Sequence, residues 1–151
     1  MSRHGYVDYD DVDDDLSLGR WRGQVASAIR GKRGQAFLQE LAAAMDAMPE
    51  KVLIAKELIN SDGDCCAIGV VCKSRGIDVS WVAYDCPASV GAAVGIAKQL
   101  AAEIEYENDE FGGRFEQMDG QWRRVEETPE ERWKRMRAWV ESKLKKAKEN
   151  A

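Results

Sequence analysis

Apolar residues recur with helical spacing in four stretches of this chain. Trp21, Val25 and Ile29 fall four residues apart and share one helix face. After a break, Phe37, Leu41, Met45 and Met48, supported by Leu38, repeat the pattern on an Ala-rich background of high helix propensity. The break is Arg30-Gly31-Lys32-Arg33-Gly34. So short a connection predicts two sequential helices, antiparallel or steeply crossed, with Gly31 left-handed at the end of the first and Gly34 loosening the start of the second. A third stretch opens at Pro87 and runs to about Asn108 with a kink at Gly95; its stripe is Ile96, Leu100 and Ile104. The fourth begins with Thr128-Pro129-Glu130-Glu131, which supplies an N-cap, a proline at the first helical position and the acidic residue of a capping box. Trp133, Met136, Val140 and Leu144 form its stripe.

Between these stretches the pattern is weaker. Glu50–Ile59 reads as a short helix or a strand, and periodicity does not decide a run this short. Asn60–Asp64 is a turn by composition. Cys65–Cys72 predicts a short strand leading into a helix that ends near Arg75-Gly76, with Gly69 permitting close packing. Ile77–Tyr84 reads as extended, with Trp81 in the core. Arg114–Met118 and Gln121–Val125 flank Asp119-Gly120 as a hairpin, with Glu116 opposite Arg123 and Phe115 opposite Arg124. The fold expected is mainly α: a helical hairpin plus further helices around one core, with one or two short β-hairpins. Residues 18–151 form a single helical domain, preceded by an acidic disordered arm at 1–17.

Charge sharpens this picture. The net charge of -5 lies wholly in the first fifteen residues, which hold six Asp and one Arg. The rest balances at 21 acidic and 21 basic side chains, so the body is neither a polyanionic mimic nor a basic nucleic-acid binder overall. The arm carries Tyr6, Tyr9 and the chain's one histidine, His4, which removes His-based catalysis and His-rich metal sites from the body. There is no signal-peptide pattern and no apolar run of membrane-spanning length, so a cytoplasmic protein is expected.

Candidate chemistry is sparse. The four cysteines are spaced CC-x5-C-x13-C, which is no zinc pattern, and are expected to be buried reduced thiols. Asn60–Asp64 resembles a calcium loop, but the position requiring a bidentate Glu is Val71. Glu103, Glu105, Glu107, Asp109 and Glu110 read as a solvated helix tip, with a weak metal site as the enzymatic alternative. No cofactor or metal is expected. The one concentrated feature is the basic corner: Arg30, Lys32 and Arg33, with Arg20 and Arg22 about two and a half turns back along the first helix. Cations flanked by glycines beside helix-terminal N–H groups suit a phosphate or an acidic partner. Arg137 and Trp139, off the stripe of the last helix, form a second candidate contact, with packing on the hairpin as the alternative.

The segments GRWRGQVASAIRGKRGQAFLQEL, AMPEKVLIAKEL, CCAIGVVCKSRGID, VGIAKQLAAEIEYENDE and ETPEERWKRMRAWV together resemble a family of small uncharacterised phage and prophage proteins. The resemblance covers most of the chain after residue 18 and departs at Phe111–Val125. That family carries no assigned catalytic residues, so it implies a setting only: a phage-encoded accessory protein in the host bacterial cytoplasm. The function expected is non-enzymatic binding of a host or phage protein, with inhibition of a host defence system as one role. The alternative is a nucleic-acid-binding accessory protein that uses the corner at 30–33, with Arg20, Arg22 and the lysines that crowd the end of the last helix, Lys143, Lys145, Lys146 and Lys148, as further phosphate contacts.

Overall fold

The computed structural model describes residues 14–110 and 112–145. Among them are helices α1 (Asp14–Arg30), α2 (Lys32–Asp46), α3 (Ala67–Arg75), α4 (Pro87–Val94), α5 (Lys98–Glu110) and α6 (Pro129–Lys143), with one antiparallel hairpin, β1 (Gly113–Met118) and β2 (Gln121–Glu126). The protein is mainly helical with a single short hairpin, as the periodicity predicts. The described part of α1 begins at Asp14, inside the segment expected to be the arm. The earlier arm residues, His4, Tyr6 and Tyr9 among them, lie outside the described residues, as do Lys146 and Lys148.

The core forms where the predicted stripes meet. Leu38, Leu41 and Met45 of α2 pack with Ile68 and Val71 of α3, Leu100 and Ile104 of α5, and Met136 and Val140 of α6, all fully enclosed. Trp21 and Val25 of α1 bury separately against Ala102 of α5, so α1 lies across the outside of that helix. Burying one such aliphatic side chain contributes about 1.5–3 kcal/mol.

The intervals between the stripes are where expectation and structure part. Glu50–Ile59 is neither helix nor strand. Its backbone bonds in turn to Pro129 (Leu53 N–H to O, 3.1 Å) and Cys65 (Ile54 N–H to O, 3.0 Å), and its only pairing is an isolated bridge between Ile59 and Cys65. Gly69 admits this segment: a Cβ there would lie 1.9 Å from the Leu58 carbonyl oxygen. The expected kink at Gly95 is a full break. Gly95 adopts φ 76° and ends α4, and α5 starts afresh at Lys98. Ile77–Tyr84 is a series of turns rather than an extended segment. The Asp78 carboxylate accepts from Ser80 N–H (2.9 Å), which breaks the alternation and leaves Trp81 59% exposed instead of in the core. At α6, the Thr128 side chain caps the Glu131 N–H (3.1 Å) as predicted. Glu131 does not complete the box; its carboxylate pairs with Arg114 of β1 (2.8 Å). No helix among the described residues is long and apolar enough to cross a membrane.

Candidate functional site

The corner between α1 and α2 is a single residue. Gly31 is extended (φ -66°, ψ 159°), not left-handed: its N–H closes the last turn of α1 on Ser27 O (3.0 Å), while its carbonyl accepts from Gln35 N–H as the start of α2 (2.9 Å). The turn is this tight because of Gly34. A Cβ at that position would sit 1.9 Å from the Ala28 carbonyl oxygen, so only glycine lets the end of α1 lie against the first turn of α2. No side chain caps the N-terminus of α2.

A buried carboxamide holds the corner in place. Gln35, 8% exposed, donates from Nε2 to Ile29 O (2.7 Å) and Lys143 O (3.0 Å), and its Oε1 accepts from Lys145 N–H (2.9 Å). One side chain thus ties the end of α1, the start of α2 and the end of α6. Lys145 then reaches over the corner and donates from Nζ to Arg30 O (2.6 Å). Arg30, Lys32 and Lys145 line one open cavity of about 330 Å³ with Gln35, Ala36 and Gln39, and among the described residues no carboxylate lines it. Lys32 and Arg33 line a second cavity of about 190 Å³ on the α5 side. Arg22 meets Lys143 in a third, about 200 Å³, which Glu103 also lines. Arg20 is exposed on α1 and lines none of these cavities.

The second sequence candidate has a structural role. Arg137 holds Asp46 at the end of α2 with two bonds (2.9 and 3.1 Å) and also pairs with Glu141 (2.9 Å). The guanidinium keeps the Asp46 carboxyl below its ordinary range. Trp139 is half-buried against the core, with the Lys143 ammonium 5.9 Å from its ring centroid.

The acid-rich end of α5 is a solvated tip only in part: Glu110 is exposed and Glu107 and Asp109 are half-buried, but the acids before them are enclosed. Glu103, Glu105 and Asn108 are all at least 96% buried. Asn108 bonds to three segments: its Oδ1 accepts from Ala67 N–H at the start of α3 (3.1 Å), its Nδ2 donates to Ile54 O (2.9 Å), and its own carbonyl accepts from Arg132 of α6 (3.1 Å). Arg135 bonds to the Glu107 carbonyl, and Glu127 pairs with both arginines. Two cations from α6 therefore occupy the negative end of the α5 dipole, which offsets the unfavourable acids in its sequence. Tyr84 donates to the Asp109 carboxylate. Glu105 finds no hydrogen-bond partner for either oxygen. Burial, then the nearby Asp109 and Asp85 carboxylates, push its acid up to about 8, so it is predominantly protonated at neutral pH. Cys66 caps α3 through its sulfur, and burial raises its thiol far out of the reactive range; Cys72 is raised to about 11 for the same reason. Cys65 is buried as well, but Cys86 is exposed, contrary to expectation.

The sequence assigned Gln35 no role and did not place Lys145 at the corner. Gln35 carried a signal, a polar residue three positions before Leu38 on the apolar stripe of α2. Lys145 read only as one of the lysines at the end of the last helix, and the docking of α6 is what brings it to the corner. No protein-family model matches this chain, and neither does any curated protein or solved structure.

Proposed function

We propose that this protein is a non-enzymatic binding module that docks an acidic segment of a partner protein on its basic corner. The observation that carries the reading is the convergence of Arg30 at the end of α1, Lys32 at the start of α2 and Lys145 beyond α6 around one cavity that no carboxylate lines among the described residues. The uncapped N-terminus of α2 adds a favourable dipole for an anion there, and Arg33 extends the positive surface on the α5 side. A protein partner suits this geometry better than a nucleic acid. A phosphate backbone needs a continuous cationic track, whereas the cations here gather in separate cavities, and a carboxylate, Glu103, lines the one that Arg22 shares with Lys143. The phage setting, the host cytoplasm and a role against a host defence system rest on the sequence resemblance and belong to this proposal only as its context.

Fluorescence anisotropy with a labelled poly-glutamate peptide and a labelled single-stranded oligonucleotide tests the reading. The peptide is expected to bind, to weaken with added salt, and to be lost from the Arg30→Gln, Lys32→Gln, Lys145→Gln triple variant, whose fold these exposed positions leave intact. Oligonucleotide binding without peptide binding would replace this reading with the nucleic-acid one. Peptide binding unchanged in the triple variant would remove the corner from consideration.

A further inference from the structure

The hairpin stands apart from the body. It is anchored at its base, where Glu127 N–H bonds to Gly112 O and the Glu127 carboxylate meets Arg132 and Arg135, and no other element packs extensively on its strands. Phe115 is 70% exposed and Trp122 69%, on the same face of the two-stranded sheet. A lone two-stranded hairpin is marginal in water, and unpaired strand edges invite further pairing.

The register determines what each edge offers. Asp119 and Gly120 both have positive φ (50° and 77°), the signature of a two-residue turn that closes on a hydrogen-bonded pair, here Met118 with Gln121. Hydrogen-bonded and non-hydrogen-bonded pairs alternate from there. Glu116↔Arg123 and Arg114↔Val125 are therefore bonded within the hairpin, while Gly113, Phe115 and Gln117 turn their N–H and C=O groups outward along the free edge of β1.

We infer that β1 is a self-pairing edge: two copies of this chain join antiparallel about Phe115, and their hairpins become one four-stranded sheet. In that register Phe115 meets Phe115 of the second copy as a hydrogen-bonded pair, and Gly113 meets Gln117 in the same way on either side. Every outward backbone group of the strand finds its partner. Arg114, which within one chain pairs with Glu116 (2.5 Å) and with Glu131 of α6 (2.8 Å), falls opposite Glu116 of the second copy in the non-bonded positions, where side chains approach most closely, and the two arginines and two glutamates form one alternating cluster by symmetry. Glu116 then lies between that arginine and its own cross-strand Arg123. On the other face the two phenylalanines lie side by side, each with its own Arg124 across the hairpin and Trp122 on the diagonal. The alternatives are disfavoured by charge. Shifting the centre by one residue in either direction sets Arg114 against Arg114 or Glu116 against Glu116. The edge of β2 opposes Arg123 with Arg123 or Arg124 with Arg124 in its fullest registers.

Sedimentation velocity on the full chain is the test. The wild type is expected to show a concentration-dependent species of twice the 16.9 kDa chain mass. Phe115→Pro removes an outward N–H that the hairpin itself does not use, so it should give a monomer with unchanged circular dichroism. Arg114→Glu and Glu116→Arg each place like charges opposite one another and should each be monomeric. Mixed together they are complementary, and the mixture should recover the double mass. A wild type that stays at the single-chain mass up to its solubility limit overturns the inference. So does a dimer that persists in all three variants, or a pair of monomeric charge variants that fail to recombine.

Discussion

Replacing Glu105 by Gln should remove a pH dependence that the wild-type protein carries through the neutral range. Glu105 is 2% exposed, has no hydrogen-bond partner, and is raised from 4.5 to about 8 by burial first and then by Asp109 and Asp85. The folded protein therefore holds this proton more tightly than the unfolded chain does. Between pH 4.5 and about 8 the folded state binds more protons, so its stability falls as pH rises through that window and levels off above it. At 1.36 kcal/mol for each unit of separation, the loss is about 3 kcal/mol at pH 7 and under about 1 kcal/mol at pH 5. Gln is neutral throughout, so Glu105→Gln should match the wild type within about 1 kcal/mol at pH 5 and exceed it progressively up to pH 8. Urea denaturation followed by tryptophan fluorescence at four pH values measures the gap. In thermal melts the gap should widen by roughly 5–10 °C between pH 5 and pH 7. Glu40, Asp46 and Asp78 have lowered acids and lose their contributions only below this window, so they do not mimic the effect. Parallel wild-type and variant curves from pH 5 to pH 8 would mean that Glu105 is solvated or paired in the folded protein, and the reasoning would fail.

Two further substitutions probe the framework. Asn108→Ala strands the Ala67 N–H and the Ile54 carbonyl, both bonded to this side chain, and should cost about 2–5 kcal/mol in urea denaturation, since each buried group left unsatisfied costs roughly 1–3 kcal/mol. A loss under about 1 kcal/mol would show that water replaces the carboxamide. Gly34→Ala drives a methyl group into the Ala28 carbonyl, forces α1 away from α2, and should both destabilise the chain by several kcal/mol, roughly 2–4, and weaken acidic-peptide binding at the corner. Unchanged peptide affinity would separate the cavity from the helix crossing.

How much of this was legible in the sequence depends on whether the signal was local. The apolar stripes of α2, α5 and α6, the Thr128 cap and the hairpin register were all readable, because periodicity, capping and two-residue turns act over a few residues. The misreadings came where tertiary contacts override local preference. Glu103 and Glu105 looked like surface acids, and nothing nearby in sequence announces that Arg132 and Arg135, more than twenty residues on, close the end of their helix. Trp81 looked like core by composition, and an Asx turn at Asp78 directs it outward. The corner itself was visible as a cluster of cations. Its third wall, Lys145, was not, because it joins through the docking of α6.

That last feature has a temporal side. The carboxamide of Gln35 bonds to backbone groups 108 and 110 positions further along the chain, so the basic cavity does not exist while the protein is still being synthesised. A nascent chain that has made α1 and α2 displays Arg30, Lys32 and Arg33 without the wall that turns them into a cavity. A partner that required all three walls would therefore engage only chains in which α6 has docked on the corner, and would pass over any that stop short of it.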